Sequence, residues 1–329
     1  MSLVRFGDIS GNLKVRTLLQ RAIERDRVAH AYLFAGPPGV GKFAAARAMA
    51  AALNCEDYAG DSCGECSSCR AMAEGAHLNY IEVEPEKGLL KIDKIRELQK
   101  ILSYRLERGH RVVVLNGAEH LVRGAANAFL KTLEEPTAGS TIILISASPD
   151  SLLPTILSRS QRVNFRPLGV SEVVAELGDY DLSGEQKKAA AMLSGGSITR
   201  AKEALDRGVF ARRAELFERF ASLGSKNGAE ILDAAALLAK DAEILELLEL
   251  LKGWYRDRIV DGYGCGDFVV NRDILKGGGP GTYNAVKGFT RAYAAIEEAR
   301  VNITPPRYGN KALTIETMLM TLRAVEASH

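Results

Sequence analysis

The stretch Ala31-Tyr32-Leu33-Phe34-Ala35-Gly36-Pro37-Pro38-Gly39-Val40-Gly41-Lys42-Phe43 decides the fold. Residues 31–35 form a short apolar run that stops at Gly36, as a buried parallel strand does. The alanine-rich stretch from Phe43 to Leu53 then reads as helix. Between strand and helix stands a glycine-rich turn ending in lysine, which is the context a phosphate-binding loop requires. Its glycines let backbone N–H groups turn inward on a phosphate chain, the helix N-terminus adds its dipole, and Lys42 adds a positive charge. Gly36, Gly39, Val40, Gly41 and Lys42 are therefore candidate phosphate ligands. The alternative is a glycine-rich turn with no ligand, and the register of Lys42 after the strand argues against it.

Working outward, the position after the lysine breaks the pattern. A hydrolytic loop has Ser or Thr there to ligate Mg²⁺, and this chain has Phe43. Hydrolysis also needs an acidic pair at the end of a second strand. The candidate strand, Val112 to Leu115, runs into Asn116-Gly117, and Glu119 lies two residues further on, where it is expected to point elsewhere. Without the Mg²⁺ hydroxyl and two carboxylates, most of what phosphoryl transfer asks of a protein is missing. The loop is expected to bind ATP or ADP without turning it over.

Further strands are predicted at Tyr80–Val83, Thr141–Ser146 and Arg162–Phe165, and helices at Leu13–Arg25, Lys91–Arg105 and Ala125–Leu133. Strands alternating with helices imply an α/β fold with a parallel sheet covered on both faces. After Pro167 the strand signals stop. Ser171–Leu177, Gly184–Leu193 and Ser197–Asp206 read as three short helices, and from about Val209 the chain is helical throughout, with Glu230–Val260, Tyr283–Val301 and Leu313–Val325 as its main segments. Gly277 to Gly281 marks a loop. The expected domains are 1–167, 168–208 and 209–329. Trp254, Tyr255 and Tyr283 are expected in the core.

Cys55-x7-Cys63-x2-Cys66-x2-Cys69 lies in a Gly/Ser-rich insert directly after the loop helix. Four thiolates within 15 residues can close a tetrahedral zinc shell with no open position, so the metal would be structural. The insert has almost no apolar residues, and the metal would supply its folding energy. Disulfides or free thiols are the alternatives, and a reducing interior disfavours the first. Cys265 reads as a lone buried or idle thiol and His77 as an ordinary surface histidine.

The chain has 329 residues, 47% hydrophobic and 26% charged, with 43 basic against 41 acidic side chains and a net charge of +2. That balance offers no broad nucleic-acid surface. Arg105, Arg108, Arg111 and Arg123 are candidate DNA or partner contacts, although an ordinary solvated surface explains them equally. No apolar run reaches the ~20 residues that span a bilayer, and Met1–Asp8 lacks the apolar core of a secretory signal. The expectation is a cytoplasmic protein with no membrane partner.

Three segments together carry a resemblance. His30 to Lys42 forms the first, with the four-cysteine insert behind it. Asn127-Ala-Phe-Leu-Lys131-Thr-Leu-Glu134-Glu135-Pro136 resembles "NALLKTLEEP", and Leu153-Pro154-Thr155-Ile156-Leu157-Ser158-Arg159-Ser160 resembles "LPxTILSRC" with Ser160 for the final Cys. In this combination the chain resembles the AAA+ clamp-loader subunits of bacterial DNA polymerase III over most of its first 210 residues. The resemblance implies a zinc module at 55–69, a helical lid and a helical collar. It implies that Arg159 is an arginine finger reaching a neighbouring subunit's ATP. In GTPases such a finger is worth roughly 10³–10⁵ in rate. Ser194 to Arg200 resembles a lid segment carrying a nucleotide-sensing arginine, so Arg200 is either a sensor or an exposed helix arginine. Phe43 and Asn116-Gly117 set the chain with the family's delta-prime kind of member rather than with its gamma/tau motors. The implied partners are gamma/tau and delta subunits and, through the complex, the sliding clamp and primer-template DNA. An active motor of the same family, or an unrelated zinc-containing nucleic-acid module, are the competing readings.

Overall fold

The structure is a computed structural model describing residues 3–57, 60–106, 108–208, 212–272, 274–275, 281–304 and 309–328. The chain forms two compact units: Met1–Glu176 with Gly196–Thr199, and Leu177–Gly195 with Arg200–His329.

The first unit is built on five parallel strands, β1 (Ala31–Ala35), β2 (Tyr80–Val83), β3 (Arg111–Asn116), β4 (Ser140–Ser146) and β5 (Gln161–Asn164), in the order β2-β3-β4-β1-β5. β1 is an interior strand: Leu33 stands beside Leu144 of β4 on one side and Arg162 of β5 on the other. Every residue of β1 and β4 is buried, because helices cover both faces. On one face Leu33, Leu115 and Leu144 pack with Ile95 and Leu98 of α4 (Ile92–Ser103) and Phe129 and Leu133 of α5 (Arg123–Glu134). Tyr32, Phe34, Val114 and Ile143 alternate to the other face. There α2 (Lys42–Asn54) packs on β3 and β4, and its many buried alanines let the helix lie close. The remaining helices of this unit are α1 (Leu13–Glu24), α3 (Ser67–Glu74), α6 (Pro154–Leu157) and α7 (Val170–Glu176).

Sheet order places β2, β3 and β4 on one side of β1 and β5 on the other. The crevice at the carboxyl end of β1 is therefore a topological switch point, the default ligand position in an open parallel sheet.

The second unit is helical: α8 (Gly184–Leu193), most of α9 (Ile198–Asp206), α10 (Arg213–Ala221), α11 (Gly228–Lys240), α12 (Ile244–Gly262), α13 (Tyr283–Ile303) and α14 (Lys311–Glu326). Its core gathers Phe217, Leu248, Leu251, Trp254, Tyr255, Ile296, Ile315 and Leu322, with Phe217 and Trp254 stacked at 5.2 Å between ring centroids. The helical segment expected over 230–260 consists of α11 and α12. The Asp241 carboxylate accepts the Glu243 N–H at 2.8 Å, a local side-chain bond that competes with helix continuation. Trp254 and Tyr255 are core as expected, but Tyr283 is 76% exposed on the first turn of α13. The glycine loop expected at 277–281 lies, up to Pro280, outside the described residues.

Candidate functional site

The loop after β1 is tightly packed at its glycines. Gly36 approaches the Phe165 carbonyl so closely that any Cβ would collide with it. Gly39 has φ +74°, and a Cβ there would run into the Ser197 hydroxyl. Ser197 belongs to the short segment that returns to this unit, where the Ile198 N–H donates to the Gly39 carbonyl at 3.1 Å. Lys42 opens α2, and its ammonium donates to the carbonyls of Gly36 (2.5 Å) and Pro37 (2.6 Å). Burial depresses the Lys42 pKa, and the negative charge of Glu119 opposes that shift. Two of the three ammonium donors thus fix the lysine over the loop, and one remains for a ligand.

Phe43 follows, half-buried, with no group that could hold a cation. β3 ends at Asn116 as expected, yet carboxylates do come near. Asn116 donates to Glu84, just beyond β2, at 3.1 Å. Glu119 does not point away as the sequence suggested: its carboxylate accepts the Ala147 N–H at the end of β4 at 3.1 Å, and its charge acts on Lys42. A turn at Gly117 (φ +70°) and a short 3-10 segment, Ala118–His120, swing it back. Asn12 was also missed. Buried beside the loop, it donates to the carbonyls of Val40 (3.4 Å) and Arg166 (3.1 Å) and accepts the Arg166 N–H at 2.9 Å. Its segment carries no motif, so only the fold could reveal it.

The four sulfurs of Cys55, Cys63, Cys66 and Cys69 lie within 4.8 Å of one another and can hold a metal ion. A tetrahedral shell of metal–sulfur bonds of about 2.3 Å has sulfur–sulfur edges of roughly 3.8 Å, and Cys63 and Cys69 stand 3.9 Å apart. Backbone N–H groups point at the sulfurs, as thiolates require: Cys63 donates to Cys55 at 3.3 Å, Cys66 to Cys63 at 3.3 Å and Cys69 to Cys66 at 3.4 Å. Burial pushes the Cys69 thiol up to about 12. For Cys66 burial acts in the same sense, but backbone bonds and neighbouring sulfurs outweigh it and bring the thiol down to about 7. Four thiolates this close repel one another, and a cation at their centre would offset that repulsion. His77 is not a free surface side chain. It is half-buried, its Nε2 stands 2.9 Å from the Ser68 hydroxyl of α3, and burial lowers its pKa. Cys265 is exposed.

Arg159 follows α6, just before β5. Its Nη2 pairs with Glu134 at 2.7 Å and its Nη1 donates to the Thr155 carbonyl at 3.0 Å. It lines an open cavity of about 590 Å³ with His30, Glu134, Ser158, Ser160 and Gln161. Ala29 to Ala31 also border this cavity, which places it at the start of β1, whereas the phosphate loop follows the end of β1. Five residues at about 3.3 Å each separate the two ends, so Arg159 and its own loop lie at opposite ends of β1. Arg200 is exposed and belongs to the second unit. Of the four basic candidates, Arg111 is buried and donates to the Tyr104 carbonyl at 3.0 Å, which corrects its reading as a surface contact. Arg105, Arg108 and Arg123 are exposed.

The five-stranded parallel sheet, with helices on both faces and a glycine-rich loop after β1, defines an α/β protein of the open parallel-sheet class. Residues 11–169 match the family model described as DNA polymerase III, delta subunit. The chain is 36% identical over 239 residues to DNA polymerase III subunit delta' of Pseudomonas aeruginosa, covering 71% of each protein. It is 30% identical over 269 residues to the Bacillus subtilis subunit of the same name, covering 80% of this chain and 82% of that one. DNA polymerase III subunit tau of Bacillus subtilis is 34% identical over 175 residues, 53% of this chain and 31% of that protein. The delta' likeness thus covers more of the chain than the tau likeness does. The chain belongs to the DNA polymerase III delta' subunit family. No helix among the described residues is long and apolar enough to cross a membrane.

Proposed function

We propose that this chain is a non-hydrolysing, stator-like delta' subunit of the DNA polymerase III clamp loader. It assembles with gamma/tau and delta subunits in the cytoplasm and helps place the sliding clamp on primed DNA. The observation that carries the reading is the position of Arg159, presented on an open cavity at the opposite end of β1 from its own phosphate loop. An arginine there serves a phosphate held by another chain, as an arginine finger in trans.

On this reading, the chain's own loop binds ATP or ADP through Gly36, Gly39, Val40, Gly41 and Lys42 without turnover. Phe43 and Asn116-Gly117 remove the groups that would hold Mg²⁺ and the attacking water. Arg200 is the candidate sensor of that nucleotide. Cys55, Cys63, Cys66 and Cys69 hold structural Zn²⁺, which closes the shell and supplies folding energy to the insert. The helical segments 168–208 and 209–329 serve as lid and collar.

The test is steady-state Mg·ATP hydrolysis by the purified chain beside a Lys42→Ala control. The expected result is no turnover above that control. Turnover that vanishes with Lys42→Ala would instead make the chain a gamma/tau-type ATPase.

A further inference from the structure

The guanidinium of Arg159 is not left to wander. Nη2 contacts Glu134 at 2.7 Å, Nη1 the Thr155 carbonyl at 3.0 Å, and the Ser158 hydroxyl lies 3.4 Å from Nη1. Both ends of the ion pair stand on buried anchors. Glu134 is the last residue of α5, directly after Leu133, which is 2% exposed in the sheet core. Arg159 follows α6, whose Ile156 is fully buried in the same core, and its backbone N–H donates to the Ile156 carbonyl at 3.2 Å. The α5 end is pinned in turn to α4, where the Gln99 amide donates to the Ala128 carbonyl at 2.9 Å and to the Thr132 hydroxyl at 3.1 Å.

We propose that Glu134 is the positioning residue of Arg159, holding the guanidinium extended on the cavity so that its remaining donors are already aimed when a phosphate arrives. This rests on the finger reading above. A free arginine side chain carries about 2 kcal/mol of rotamer entropy, and ordering it in advance removes that cost from the chemical step. A fork of five donors tolerates the division, since Glu134, Thr155 and Ser158 take one donor each and two stay open. The carboxylate also repels an incoming phosphate, but at half exposure its charge is screened by water while its geometric hold is not. Positioning therefore outweighs repulsion.

The test uses the reconstituted loader, with the ATPase rate measured against ATP concentration for wild type, Glu134→Ala, Glu134→Gln and Arg159→Ala. Thermal melts check that each variant is folded. Misplacement of a catalytic group by about 1 Å costs on the order of 10²-fold, and partial loss of order is expected to lower kcat about tenfold in Glu134→Ala with KM changed less than about twofold. Glu134→Gln keeps an oxygen for Nη2 and is expected to retain most of the rate. Unchanged or faster turnover in Glu134→Ala, with Arg159→Ala impaired, overturns the positioning role and leaves the finger standing. Unchanged turnover in Arg159→Ala overturns the finger, and this inference with it.

Discussion

An ammonium has three donors, and Lys42 directs two of them to the Gly36 and Pro37 carbonyls of its own loop. Phe43 and Asn116 could be read as defects from the residues alone, because each replaces a group of known chemistry at a known spacing. Glu84 and Glu119 could not. Glu84 reaches Asn116 from the end of β2, and Glu119 reaches Ala147 and Lys42 from a turn, paths the sequence does not display. Charge placement elsewhere carries a pH dependence. Glu297 on α13 is held down to about 2 from the ordinary 4.5, first by Arg300 and then by Lys252 across on α12. A carboxyl with a depressed folded pKa stabilises the native state above its ordinary value. That stability is lost as pH falls from about 4.5 toward 2. Thermal melts across this window are expected to show a steeper acid loss for the wild type than for Glu297→Gln, and coincident profiles would refute the coupling.

At the scale of the element, the cysteine insert is the least self-sufficient piece of the chain. Its one helix, α3, has eight residues, and its N-cap is Cys66, whose sulfur accepts the Cys69 N–H. Too short to stand alone in water, α3 gave no clear periodic signal and was not foreseen. What else holds the insert is the N-terminal arm. Arg5 donates to the Cys63 carbonyl at 2.6 Å, the Asp61 carboxylate accepts the Phe6 N–H at 3.1 Å, and Phe6 is fully buried. Removal of the metal with a chelator is therefore expected to expose amides in 60–75 and also in 5–8, read by hydrogen exchange, while the β1 and β4 amides stay protected. Protection that persists throughout the insert after chelation would show that the sulfurs have no structural metal to lose.

For the molecule as a whole, two cores mean that unfolding is not a single two-state event. The sole tryptophan, Trp254, lies in the helical core and reports on that unit. There Arg258 stands over the rings of Phe289 (3.9 Å), Trp254 (4.9 Å) and Tyr255 (5.6 Å) and pairs with Glu326, whose side chain is 4% exposed. The Tyr255 hydroxyl donates to the same carboxylate at 2.7 Å, which ties α12 to the end of α14. Arg258→Ala strands a buried carboxylate and is expected to destabilise the helical unit by roughly 3–5 kcal/mol. Urea titration followed by Trp254 fluorescence should show the loss, with the circular-dichroism transition of the α/β unit unmoved. A Trp254 midpoint that stays in place would mean the pair contributes little.

The sequence by itself determined the strand–loop–helix, the alternation that makes a parallel sheet, the missing hydrolytic groups and the metal-ligand spacing. Each of these is local: a period, a spacing or a side-chain type within a few residues, and local physics suffices to read it. Only the tertiary structure decided the sheet order, the point at Asp241 where α11 and α12 divide, the burial of Arg111, the return of Glu119 and the pairing of Glu134 with Arg159. The physical reason is shared by the sheet order and the last three. They join groups far apart along the chain or bury a charge in the core, and chain packing, not residue spacing, sets which distant groups meet. The division between α11 and α12 is the exception: its cause is local, an aspartate bonding two residues ahead.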